Sequence, residues 1–140
     1  MRARALLDTG PLVAFLDRRD RYHRWAMEQW DRIDPPLVTC EAVLSEACFL
    51  LRDLPGGAPA VLDLLVRGVL RVGFTVQGEA AAIRRLMGRY ATVPMSLADA
   101  CLVRMVEQHP GSRVLTLDHD FRLYRSHGRR VIPVMMPANR

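Results

Sequence analysis

Ala5-Leu6-Leu7-Asp8-Thr9-Gly10-Pro11 runs from an apolar triplet through an acid into a glycine and a proline. The triplet reads as a strand. Gly10-Pro11 then opens a helix through about Asp17, because proline has a suitable φ for the first helical position and lacks an N–H that would go unpaired there. Asp8 therefore stands where strand becomes loop.

Outward from this unit the alternation continues, without internal repeats or low-complexity tracts. Asp20 is placed to cap a second helix through about Ile33, with Tyr22, Ala26, Trp30 and Ile33 on one face, and Pro35-Pro36 ends it. Leu37-Val38 reads as a short strand, Thr39 to Leu54 as a third helix up to the breaker Pro55-Gly56-Gly57, and Pro59 to Arg67 as a fourth. Leu70 to Phe74 resembles a strand, Gly78 to Tyr90 and Ser96 to about His109 read as helices, and Val114-Leu115-Thr116-Leu117 as a buried strand. Val131-Ile132-Pro133-Val134 is expected at a sheet edge, where proline is tolerated. Strands alternating with helices define an α/β domain on a mostly parallel sheet of about five strands. A length of 140 residues, half of them hydrophobic, suits a single domain over residues 1–140.

The formal charge is +5, and all 20 basic residues are arginine. Arginine suits bidentate contact with phosphate, so a polyanionic partner is compatible with the composition, although an Arg-rich genome would produce the same bias. Cys40, Cys48 and Cys101 are odd in number, show no CxxC spacing and lie in apolar stretches, which argues against a disulfide framework or a zinc site and for reduced thiols. Arg2 and Arg4 precede apolar residues, but Asp8 interrupts that run and no small-residue cleavage site follows. No later segment approaches the roughly 20 apolar residues of a membrane span. The expectation is a soluble, cytoplasmic protein.

Four acids stand where a solvated charge is not expected. Asp8 and Asp118 each follow an apolar strand, and ligands gather at the carboxyl ends of parallel strands; turn formation or helix capping is the competing role for either. On a helical projection of about 100° per residue, Val43, Ala47, Leu50, Leu51 and Leu54 form one stripe. Glu46 borders that stripe, whereas Glu41, Ser45 and Arg52 project from the other side, which makes Glu41 an ordinary solvated charge. The competing reading of Glu46 is a border side chain that snorkels outward. Ser96-Leu97-Ala98-Asp99 has the form of a capping box, which by itself would account for Asp99. The same first turn, flanked by Ala98, Cys101, Leu102 and Met105, equally presents the carboxylate toward the sheet ends. Carboxylates converging from separate elements suit a hard divalent cation such as Mg²⁺ or Mn²⁺. Without one, two charges about 4 Å apart repel by about 4 kcal/mol at an effective dielectric of about 20, a cost that implies a function.

Leu6-Leu7-Asp8-Thr9-Gly10-Pro11-Leu12-Val13-Ala14, Leu44-Ser45-Glu46-Ala47, Ser96-Leu97-Ala98-Asp99-Ala100 and Leu115-Thr116-Leu117-Asp118-His119-Asp120-Phe121 resemble, in order and spacing, the motifs of PIN-domain nucleases, particularly the toxins of VapBC toxin–antitoxin pairs. The resemblance covers nearly the whole chain. It implies a three-layer α/β/α fold, a symmetric homodimer and a metal-dependent endoribonuclease. Asp8, Glu46 and Asp99 match the family's metal-binding acids, and Asp118 matches the more variable fourth, with Asp120 as its alternate. These four are the implied catalytic and metal residues, and Thr9 and Thr116 match polar neighbours of the site. The implied chemistry is hydrolysis of RNA phosphodiesters, the cation activating water and neutralising charge on the phosphate, with no covalent nucleophile. Glu46 or Asp118 is the candidate to orient or deprotonate the water. The implied partner is a small cognate antitoxin that covers the site.

Within the same fold, the alternative is a catalytically silent PIN-like module that binds RNA or protein; the presence of all four acids argues against it. Asp8-Thr9-Gly10 is also the tripeptide of aspartic proteases, but that β-rich class conflicts with the helical Thr39 to Leu54 and Ser96 to His109. A haloacid-dehalogenase phosphatase wants a second Asp at position 10, where this chain has Gly10. His23, His109, His119 and His127 are scattered without ligand spacing and read as surface or packing groups. Arg18, Arg19, Arg21 and Arg24 cluster near one helix start, and Arg122, Arg125, Arg129 and Arg130 follow the last acid. Either set can track an RNA backbone or remain a solvated face.

Overall fold

The first apolar triplet, β1 (Ala5–Leu7), becomes the middle strand of a sheet, with every residue buried. The computed structural model describes residues 4–138, so Arg2 lies outside them. After β1 come α1 (Thr9–Leu16), α2 (His23–Arg32), β2 (Leu37–Thr39), α3 (Glu41–Leu50), α4 (Gly57–Val66) and β3 (Leu70–Val72). Then follow α5 (Val76–Arg89), α6 (Leu97–Gln108), β4 (Arg113–Leu115), a 3-10 turn (His119–Arg122), β5 (Arg125–Ser126), β6 (Arg130–Val131) and β7 (Val134–Met135).

Five parallel strands lie in the order β3-β2-β1-β4-β7, flanked by the six helices, in the mostly parallel, five-stranded α/β arrangement expected from the sequence. The chain lays β1, β2 and β3 outward to one edge, then returns to place β4 on the other side of β1, with Leu7 opposite Leu115. Strand order therefore reverses between β1 and β4, and the carboxyl ends of strands at such a reversal form a crevice. Leu6, Leu7 and Leu115 are fully buried, each contributing roughly 1.5–3 kcal/mol of apolar transfer. α6 packs against β1 and β4. Eight of its 12 residues are buried, including Ala100, Val103 and Val106 beyond the expected stripe.

Several boundaries differ from expectation for identifiable reasons. The third helix spans Glu41–Leu50 rather than Thr39 to Leu54, because Thr39 belongs to β2 and the chain turns at Leu51. That turn brings Gly57 so close that a Cβ there would lie 2.6 Å from the Leu51 carbonyl oxygen, while Gly56 adopts φ 72°. The breaker thus needs each glycine for its own reason. Leu50, expected in the core stripe, is exposed. Asp20 accepts the Tyr22 N–H at 2.8 Å but closes a turn, and α2 starts only at His23. The expected edge strand at 131–134 divides: Val131 pairs with Arg125 in an antiparallel ribbon, and the sheet edge is Val134–Met135. Pro133 sits between them and offers its carbonyl to Val114 N–H at 2.9 Å. All three cysteines are free thiols, Cys40 and Cys101 buried.

Candidate active site

Asp8, Glu46, Asp99 and Asp118 line one pocket of about 470 Å³, together with Thr9, Gly10, Leu50, Pro94, Ser96 and Leu117. The acids arrive from four elements: the end of β1, the middle of α3, the first turn of α6 and the loop after β4. Asp8 and Asp118 thus stand on either side of the strand reversal. Gly10 lets the first turn of α1 close onto this loop, since a Cβ there would lie 3.2 Å from the Leu117 Cβ.

Asp8 is held from both oxygens. Oδ1 accepts the Thr9 N–H at 2.8 Å and Oδ2 accepts the Thr116 hydroxyl at 2.7 Å. Thr116 Oγ1 in turn accepts the Asp118 N–H at 2.9 Å, so one buried threonine ties the two strand-end acids together. Only 6% of Asp8 is exposed, and burial pushes its carboxyl up to about 6 despite these two hydrogen bonds. The charges of Asp99 and Asp118 push in the same direction.

Asp99 performs both roles the sequence allowed. Ser96 Oγ accepts its N–H at 3.0 Å in a capping box, while its own Oδ2 accepts the Tyr124 hydroxyl at 3.0 Å. Burial raises the Asp99 carboxyl above its ordinary value, and the Asp118 charge adds to the effect. Tyr124 is a site neighbour that sequence reasoning missed: it is fully buried, edge-on to Tyr90 and Phe121. Burial and the adjacent Asp99 charge push its phenol well above the usual tyrosine range. Its only sequence signal was an aromatic just beyond the last motif.

Glu46 is exposed, as a snorkelling border residue would be, yet its Oε2 accepts the Thr9 hydroxyl at 2.9 Å. Asp118 Oδ1 accepts the N–H of Asp120, opening the 3-10 turn. Asp120 is absent from the pocket lining, so Asp118 is the acid the fold brings to the other three.

The oxygen-only donor set suits a hard divalent cation. Among the described residues, Glu46 Oε1, Asp99 Oδ1 and Asp118 Oδ2 accept no protein hydrogen bond. No three His, Cys, Asp or Glu side chains among those residues are already drawn together as a metal-holding set. Like-charge repulsion opposes that closure, and a cation would relieve it. The donor chemistry fits.

A family model for the PIN domain matches residues 5–126, and the chain belongs to that family. Among structures, its fold is similar to the VapC20 toxin of Mycobacterium tuberculosis, described as cleaving the sarcin–ricin loop. The two share 23% identity and a TM-score of 0.75, over 92% of this chain and 99% of that one. No curated protein sequence matches the chain.

Proposed function

We propose that this PIN domain is a metal-dependent endoribonuclease of the VapC-toxin type, with Asp8, Glu46, Asp99 and Asp118 holding Mg²⁺ or Mn²⁺. The observation that carries this reading is the convergence of four carboxylates from four elements on one pocket at the strand reversal. Similarity of fold to a ribonuclease toxin supports it.

The cation, when bound, would supply Lewis-acid stabilisation of charge on the phosphodiester oxygens. The chain's own groups do the rest. Thr116 and the Thr9 N–H fix both oxygens of Asp8, while the Tyr124 hydroxyl and the Ser96 N–H both donate to Asp99 Oδ2, so these carboxylates present a pre-set face. Glu46 Oε1 and Asp118 Oδ2 are available to orient an attacking water or accept its proton.

The same reading gives the chain a small antitoxin that covers the pocket, a symmetric dimer and a cytoplasmic home. No helix among the described residues is long and apolar enough to cross a membrane. Purified protein should cleave RNA with Mn²⁺ or Mg²⁺, stop when EDTA is added, and leave peptides intact. Unchanged cleavage in chelator removes the metal mechanism. Co-expression with the neighbouring reading frame should relieve growth arrest; a chain harmless by itself, with no binding neighbour, loses the toxin assignment but not the nuclease one.

A further inference from the structure

A second cavity, of about 730 Å³, opens beside the acids, and Leu117 lines both. Asp118 faces the acidic pocket and the next residue, His119, lines the second cavity. One wall is the turn before α2 and the first turn of that helix, through Arg21, Arg24 and the half-buried Trp25. The other is the segment 136–138, continuing from β7, whose Met135 carbonyl accepts the Thr116 N–H. The cavity therefore lies at the carboxyl ends of β4 and β7, beside the acids at the end of the same sheet.

We propose that this cavity is a substrate subsite that seats a nucleotide of single-stranded RNA adjoining the phosphate to be cleaved. The proposal rests on the nuclease reading of the acidic pocket. The base stacks on Trp25, and the neighbouring backbone phosphate meets Arg21 and Arg24, whose guanidiniums match phosphate oxygens bidentately. Among the described residues neither arginine is paired with a carboxylate; Arg21 lies over the Tyr22 ring, 5.2 Å from its centroid. Glu28 is the one acid in the lining, an acceptor suited to a base amino group rather than to phosphate. The volume falls within the roughly 300–1,000 Å³ of pockets that take small organic groups. Two cations, an aromatic face and continuity with a phosphodiester site favour RNA over a polypeptide. By contrast, Arg125 on the far side of the last motif is committed to the carbonyls of Arg122, Leu123 and Tyr124.

The test uses the full chain and a short fluorescent single-stranded RNA, with binding read by anisotropy in EDTA and cleavage read separately with Mn²⁺. Trp25→Ala should weaken binding roughly 10–100-fold, and Trp25→Phe should restore most of it. The pair Arg21→Ala and Arg24→Ala should lower the log–log salt slope of binding by about 1.4, from about 0.7 per lost phosphate contact. With Mn²⁺ these variants should raise KM while leaving kcat and Mn²⁺ affinity in place. Arg84→Ala with Arg85→Ala, two exposed arginines on α5, removes the same charge elsewhere and should change binding far less.

If the Arg21/Arg24 pair behaves like the Arg84/Arg85 pair and Trp25→Ala binds RNA normally, the subsite is refuted while the nuclease reading stands. If these variants keep RNA affinity but release a polypeptide partner, the cavity is a protein dock and the proposal is overturned. A chain that binds RNA through this cavity but never cleaves it retains the nucleotide seat and loses the nuclease reading.

Discussion

Asp8 and Glu46 face the same pocket from opposite environments. Asp8 sits at the end of a buried strand with both oxygens hydrogen-bonded and its carboxyl pushed up to about 6. Glu46 projects from a helix into solvent and, among the described residues, is tethered by Thr9 alone. The sheet side of the site is pre-set and electrostatically costly; the helix side is screened and free to adjust. A buried carboxylate of this kind persists only if a ligand offsets its cost or a function retains it.

The comparison breaks most sharply at Asp8. Asp8→Asn keeps the side-chain size and removes a charge, and cleavage should fall by more than the roughly 10–100-fold typical of an outer-shell partner, as should that of Asp99→Asn. Steady-state cleavage and Mn²⁺ titration measure both. Full RNase activity in Asp8→Asn, or an unfolded metal-free protein, would make Asp8 a turn residue and end the central claim.

One step out, Tyr124→Phe and Thr116→Val remove hydroxyls that hold Asp99 and Asp8. Each should weaken Mn²⁺ binding about 10–100-fold and cost about 1 kcal/mol of stability. Isothermal titration and urea melts separate the two effects. A variant that loses stability but keeps its metal affinity would show that the hydroxyl only packs the fold.

The cost of burying Asp8 should also appear as a pH dependence of the metal-free protein. With a folded value of about 6 against the ordinary 3.8, Asp8 keeps its proton over a window where the unfolded chain has lost it. Stability from this group is full below about pH 4 and is lost as pH rises through about 6. The loss has an upper bound of roughly 3 kcal/mol. Asp8→Asn should flatten that decline in denaturant melts across the window. An equally steep decline in Asp8→Asn assigns the effect to other groups, Asp99 first.

The smallest effect belongs to Glu41, exposed five residues before Glu46 on the same helix. Glu41→Gln should leave activity unaltered and shift stability by no more than about 0.5 kcal/mol. A marked loss of cleavage would show that the outer face of α3 also meets the substrate.

Much of this molecule is legible in its sequence. β1, the cap at Ser96 and the helices flanking Pro55-Gly56-Gly57 are written in short-range patterns: an apolar triplet, a capping box, two glycines at a break. The same patterns single out all four acids that line the pocket. What escaped were features with weak local signals. The 3-10 turn and the β5–β6 ribbon are too short for periodicity, and Val131 left the edge strand because Pro133 divides the run. Leu50 fitted an apolar stripe yet lines the acidic pocket.

The sequence by itself determined the order of the sheet strands and helices and singled out the four pocket acids, although Glu46 proves exposed, because periodicity and capping act over a few residues. Only the tertiary structure decided that the order reverses between β1 and β4, that Thr116 joins Asp8 to Asp118, and that Tyr124 holds Asp99. It likewise decided that a basic, aromatic cavity adjoins the acids. Such pairings join residues up to 108 positions apart. They are settled by how buried strands stack side by side, a choice that no local window contains.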